Sequence, residues 1–238
     1  MHKGICEMKS TQFAGMACLA LCLSGYALAA APNVSPAPLA VDLDTAASML
    51  TELIHQAKDP DVKWRAVRAL GCLRYKGASP HLLECLQDDH RYVRANAARA
   101  LGDMRVKAAA APLIDLLKSE KDGGVIEQSS LALAKLQARE AVPVLKQRAS
   151  HESLQTRIWV LQAIGRLGSA ADVPFLAERL DASDTSEQVC AAEAIENLAS
   201  VDFELPKRDG PQDVYAVKAA IKRAKEWWAK NKAAFDRK

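Results

Sequence analysis

The segment VRANAARALGDM, Val93–Met104, decides the fold, because the chain says nearly the same thing again every 31 or 32 residues. VKWRAVRALGCL begins at Val62, VIEQSSLALAKL at Val125, TRIWVLQAIGRL at Thr156 and EQVCAAEAIENL at Glu187. Aligned, the copies give a column of Ala69, Ala100, Ala132, Ala163 and Ala194. A second column holds Leu70, Leu101, Leu133, Ile164 and Ile195, and a third Leu73, Met104, Leu136, Leu167 and Leu198. Within one copy, Ala66, Ala69, Leu70 and Leu73 are spaced i, i+3, i+4, i+7, which is the apolar stripe of one helix. The small alanine lets a neighbouring helix approach closely. One intervening position runs through Cys72, Asp103, Lys135, Arg166 and Asn197, varying as a solvated position does.

A second set of landmarks completes the unit. Pro80, Pro112, Pro143 and Pro174 open the apolar segments PHLLECL, PLIDLL, PVLKQRA and PFLAERL. A proline in the first turn of a helix forfeits no hydrogen bond. Each unit is therefore a helix, a short turn and a second helix, and neither helix of so short a unit buries its stripe alone. The expected fold is all-α: a right-handed α-solenoid of stacked helical hairpins. Composition agrees, since a chain 50% hydrophobic but only 5% aromatic builds its core from Ala, Leu, Val and Ile. Eleven Gly and ten Pro are too few for a turn-dense all-β protein.

With DPDVKWRAVRALGCL and DDHRYVRANAARALGDM, the chain resembles the short HEAT-like repeat of the phycobilisome-lyase type. The resemblance spans about Asp59 to Ser200, four full repeats and a closing half. It implies a HEAT solenoid, while its members include enzymes, lyase subunits, adaptors and scaffolds. Copy three departs most, with Ile126 in place of the basic residue and Ala134 in place of the glycine, so its turn is expected to differ.

The flanks read differently. Lys3 and Lys9 precede an apolar run, Phe13–Ala31, that passes through Ala27-Leu28-Ala29, the small-residue pattern of a cleaved secretory signal over residues 1–29. Periplasmic or secreted localisation follows, with an uncleaved inner-membrane anchor as the alternative. Residues 30–43, rich in Pro and Ala, read as a linker. The solenoid is expected over 44–200, opened by a helix capped by Asp44 or Thr45 and running to about Lys58. Residues 201–238 form a basic cap helix and tail in which Trp227 and Trp228 offer a second reading, docking on a partner or an anionic membrane surface.

Net charge, +3 for the whole chain, is concentrated in that tail, where ten basic residues face four acidic ones over 207–238. An acidic body with a basic tail gives no groove for nucleic acid. Of six cysteines, Cys72, Cys85 and Cys190 remain after the leader and read as small packing residues. A hydroxylase of this repeat class holds two irons with several His-Glu pairs; here one pair, His151-Glu152, falls in a turn between repeats. His55, His81 and His90 occupy unrelated columns, so no metal and no cofactor is expected.

The functional expectation is an exported, non-enzymatic scaffold or adaptor that binds another protein. Its second helices would line the inner face with Glu84, Asp115, Lys146, Arg148, Glu178 and Arg179, whose mixed signs suit charge-patterned recognition. The alternative is a HEAT-like enzyme or lyase subunit, hydroxylase-like or bilin-lyase-like.

Overall fold

Five first helices stand side by side in one row, and four shorter second helices form another row beside them. The computed structural model describes residues 42–206 and 213–235, so the leader and most of the linker lie outside the described residues. In order, the helices are α1 (Leu43–Gln56), α2 (Pro60–Leu73), α3 (Ser79–Glu84), α4 (Arg91–Asp103), α5 (Ala110–Ser119), α6 (Gly123–Leu136), α7 (Val142–Arg148), α8 (Leu154–Leu167), α9 (Val173–Glu178), α10 (Thr185–Ala199) and α11 (Val214–Phe235). There is no strand among the described residues. Helices α2, α4, α6, α8 and α10 each pack on the next, and α3, α5, α7 and α9 each lean on the first helix of the following unit. The opening helix α1 packs on α2, and α11 closes the far end against α9 and α10.

The columns read from the sequence are the core. Leu70, Leu101, Leu133, Ile164 and Ile195 are all fully enclosed, each contributing about 1.5–3 kcal/mol by burial. Close approach depends on a pairing across units. A β-carbon built on Gly71 would lie 2.7 Å from Ala100 Cβ, one on Gly102 2.7 Å from Ala132 Cα, and one on Gly165 2.8 Å from Ala194 Cβ. The glycine of α2, α4 and α8 thus seats the alanine of the next first helix.

That pairing corrects the expectation for the third copy. The glycine lies inside the helix, so Ala134 leaves the turn alone. Gln137 ends α6 in the left-handed region at φ 57°, as Arg74 does for α2 at φ 52° and Arg105 does just beyond α4 at φ 53°. The different turn is the fourth, where Gly168 ends α8 in extended backbone.

Charged residues bind unit to unit. Arg94 donates through Nε to Glu120 Oε2 at 2.7 Å and through Nη2 to Oε1 at 3.0 Å. Arg157 repeats this at Glu187, with Nε to Oε2 at 2.8 Å, and Lys63 pairs with Asp88. Ile126 holds the equivalent place in the third copy and is fully buried, so the ladder skips that junction. The varying column is also less idle than expected: Lys135 Nζ meets Asp103 Oδ1 at 2.5 Å across two units.

The ends differ from expectation in detail. Asp42 caps α1, accepting from Thr45 N at 2.9 Å and Thr45 Oγ1 at 2.7 Å. Those contacts hold its carboxyl below the ordinary carboxylate range. Val214, at the start of α11, is exposed, whereas Val217, Ala220, Ile221 and Ala224 are buried.

Candidate interaction face and histidine cluster

The six second-helix residues do not form one equivalent set. Lys146 is committed inside the stack: Nζ lies 2.5 Å from Asp172 Oδ1 and 5.4 Å from the Phe175 ring centre. Burial raises the Asp172 carboxyl, but Lys146 and the Ser169 N–H outweigh it, and the group titrates below its ordinary value. Arg179 also lies over the Phe175 ring, 5.2 Å from its centre, and donates from Nη2 to Ser150 Oγ at 3.3 Å. Its Nε is enclosed without an acceptor. Both side chains join neighbouring units, so they are ties within the solenoid.

The remaining members reach solvent. Asp115 on α5 is exposed and pairs only with Lys118 of its own helix, at 2.8 Å. Glu178 at the end of α9 is exposed, and Arg148 at the end of α7 is half-buried. Neither Arg148 nor Glu178 has an ion pair among the described residues. Trp227 and Trp228 are half-buried and pack against the core: Trp227 lies 5.8 Å from Phe203 and 6.0 Å from Phe235, and Trp228 5.6 Å from Phe235, measured between ring centres. Lys225 on the same helix reaches Asp181 at 2.7 Å.

Glu84, the sixth residue, belongs to a different arrangement. His55 Nε2, in the last turn of α1, lies 3.1 Å from His81 Nδ1 in the first turn of α3. Their rings meet edge-on, with centres 5.2 Å apart. Glu84 stands one turn beyond His81 on the same helix face, with Oε2 3.9 Å from His81 Nδ1. One ligand atom from each of the three residues lies within 4.8 Å of the others. The three residues are therefore neighbours although they occupy unrelated columns, and they form a group that could hold a metal ion. One feature hid the cluster. The His81-Glu84 spacing is visible in the sequence, but His55 lies on a helix outside the repeats and so has no column to align.

His151 behaves as its turn position suggested. It accepts from Ser153 N at Nδ1, at 3.1 Å, and its Nε2 lies 3.3 Å from Lys121 O.

A model of HEAT repeats matches residues 47–134 and 127–199, most of the chain. The chain belongs to the HEAT-repeat family. Among solved structures, this HEAT-repeat chain is similar to the complex of CpcE and CpcF of phycocyanin lyase from Nostoc sp. PCC7120. Identity there is 17%, over 93% of this chain and 91% of that one, with a TM-score of 0.51. It is also similar to a designed armadillo repeat protein, YIII(Dq)4CqI, at 18% identity over 75% of this chain and 98% of that one, with a TM-score of 0.51. These likenesses concern the fold. No curated protein matches the sequence.

Proposed function

We propose that the chain is an exported, non-enzymatic HEAT-repeat scaffold that holds another protein along the face made by its second helices. The fold supports a role in protein interaction, and the neighbour from Nostoc is itself a complex of two chains. One observation carries the reading. Asp115, Arg148 and Glu178 project from α5, α7 and α9 in alternating sign and take no part in the ties between units, whereas Lys146 and Arg179 are spent on those ties. Charges of alternating sign on successive units of the stack suit recognition of a complementary charged surface, which sets specificity and encounter rate.

A photo-crosslinker placed at position 178 should trap a partner in the source cell. Reversing the charges with Asp115→Lys and Arg148→Glu together should abolish that adduct while helical signal and melting stay unchanged. An adduct that survives the reversal would refute the assignment of the face. Export is tested separately by sequencing the N-terminus of the protein recovered from cells, which should begin near Ala30.

A further inference from the structure

We propose that His55, His81 and Glu84 form a divalent transition-metal site that clamps the opening helix α1 onto the first repeat. Two imidazole nitrogens facing each other at 3.1 Å cannot both carry a proton toward the gap. Either one donates to the other, or both direct lone pairs at a shared cation. In a tetrahedral site with metal–nitrogen bonds of 2.0–2.1 Å, two nitrogen ligands stand about 3.3 Å apart. The separation found is that of a ligand pair before any ion arrives, and only a small movement opens it. Glu84 supplies the hard, charged third ligand. Its Oε2 is 3.9 Å from His81 Nδ1, and its exposed side chain can swing inward through its own rotamers. Water completes the fourth position.

The surroundings favour the three-ligand set over a thiolate site. Cys85, adjacent to Glu84, is buried and is not among the groups whose ligand atoms gather within 4.8 Å of one another. Two imidazoles and one carboxylate suit Zn2+ and its neighbours in the transition series better than Ca2+ or Mg2+, which prefer oxygen. The location gives the ion a structural task. Among the described residues, helix α1 packs on α2 at one side only, and terminal units of a stack are held by a single interface. A metal joining α1 to α3 ties this end through two helices that are not consecutive.

The test uses the untagged chain and Zn2+ alone. Calorimetric titration should show one ion per chain, and saturating Zn2+ should raise the melting temperature by roughly 5 °C. His55→Gln and His81→Gln should each abolish both effects while leaving the circular dichroism of the metal-free protein unchanged, and Glu84→Gln should weaken binding about tenfold. His151→Gln should bind as the parent does. The proposal is overturned if Zn2+ leaves the melting temperature unmoved, or if the rise persists undiminished in His55→Gln.

Discussion

Arg94 holds Glu120 across the junction of two units by two parallel hydrogen bonds, 2.7 and 3.0 Å long, and Glu120 is 7% exposed. The same arginine donates through Nη1 to the carbonyls of Asp88 and Asp89, each at 2.8 Å. It therefore fixes both the turn before its own helix and the start of the next unit. Removing one partner strands the other in a poorly hydrated place. Arg94→Ala should cost about 3 kcal/mol in chemical denaturation. The exposed pair Lys222 and Glu226 should cost less than about 0.5 kcal/mol when broken. Equal losses at the two sites would contradict the role assigned to burial.

The glycine contacts predict an inversion of the usual helix rule. Inside a helix, Gly→Ala normally stabilises by about 1 kcal/mol. At Gly102 and Gly165 the new methyl would lie 2.7 and 2.8 Å from the next unit, so the helices must part. Each substitution should destabilise by about 1–3 kcal/mol, read from urea midpoints. A neutral or stabilising outcome would show that adjacent units slide apart without loss.

Acid should act on the stack with two signs. Burial raises Glu120, yet Arg94 and the Lys121 and Asp122 N–H groups outweigh it and leave its pKa lowered; Asp172 is likewise lowered. A depressed folded pKa gives stability that is present above the ordinary values of 4.5 and 3.8 and lost as pH falls through the folded values. Glu127 and Glu196 are raised by burial, so their contribution runs the other way, growing as pH falls from neutrality toward 4.5. Melting temperature should therefore rise gently on mild acidification and drop steeply below about pH 4. Glu127→Gln should flatten the gentle arm only.

The three described cysteines form no disulfide, with Cys72 exposed and Cys85 and Cys190 buried. Cys72 is exposed as its column suggested and does not serve as the small packing residue expected of the three cysteines. Maleimide should modify one thiol rapidly in the native protein, and mass spectrometry should place it on Cys72. The other two should react only on unfolding.

Much of the architecture was legible because periodicity is a statement about burial. Leu70, Leu101, Leu133, Ile164 and Ile195 stand in one column and are all enclosed. The prolines marked the second helices for an equally local reason, the tolerance of a first turn for a missing N–H. What escaped was relational. Nothing in the sequence says that Lys146 reaches Asp172 and Phe175 instead of solvent, because a long flexible side chain has no periodic constraint. The glycine of the repeat phrase was read as part of a turn, although its purpose is defined by the alanine of a different unit. His55 and His81 are 26 residues apart, and only the packing of α1 against the first repeat brings them together.

The seating of alanine on glycine also works as a ruler. Helices that touch through Gly and Ala sit near the short end of the 8–10 Å range of helix spacings. That spacing is set in the first-helix row, away from the face that carries Asp115, Arg148 and Glu178. Residues on that face can therefore change identity without changing their pitch. A ligand that fits this rhythm could be exchanged for another by substituting only the letters displayed, while the distance between them stays fixed by the smallest side chains in the protein.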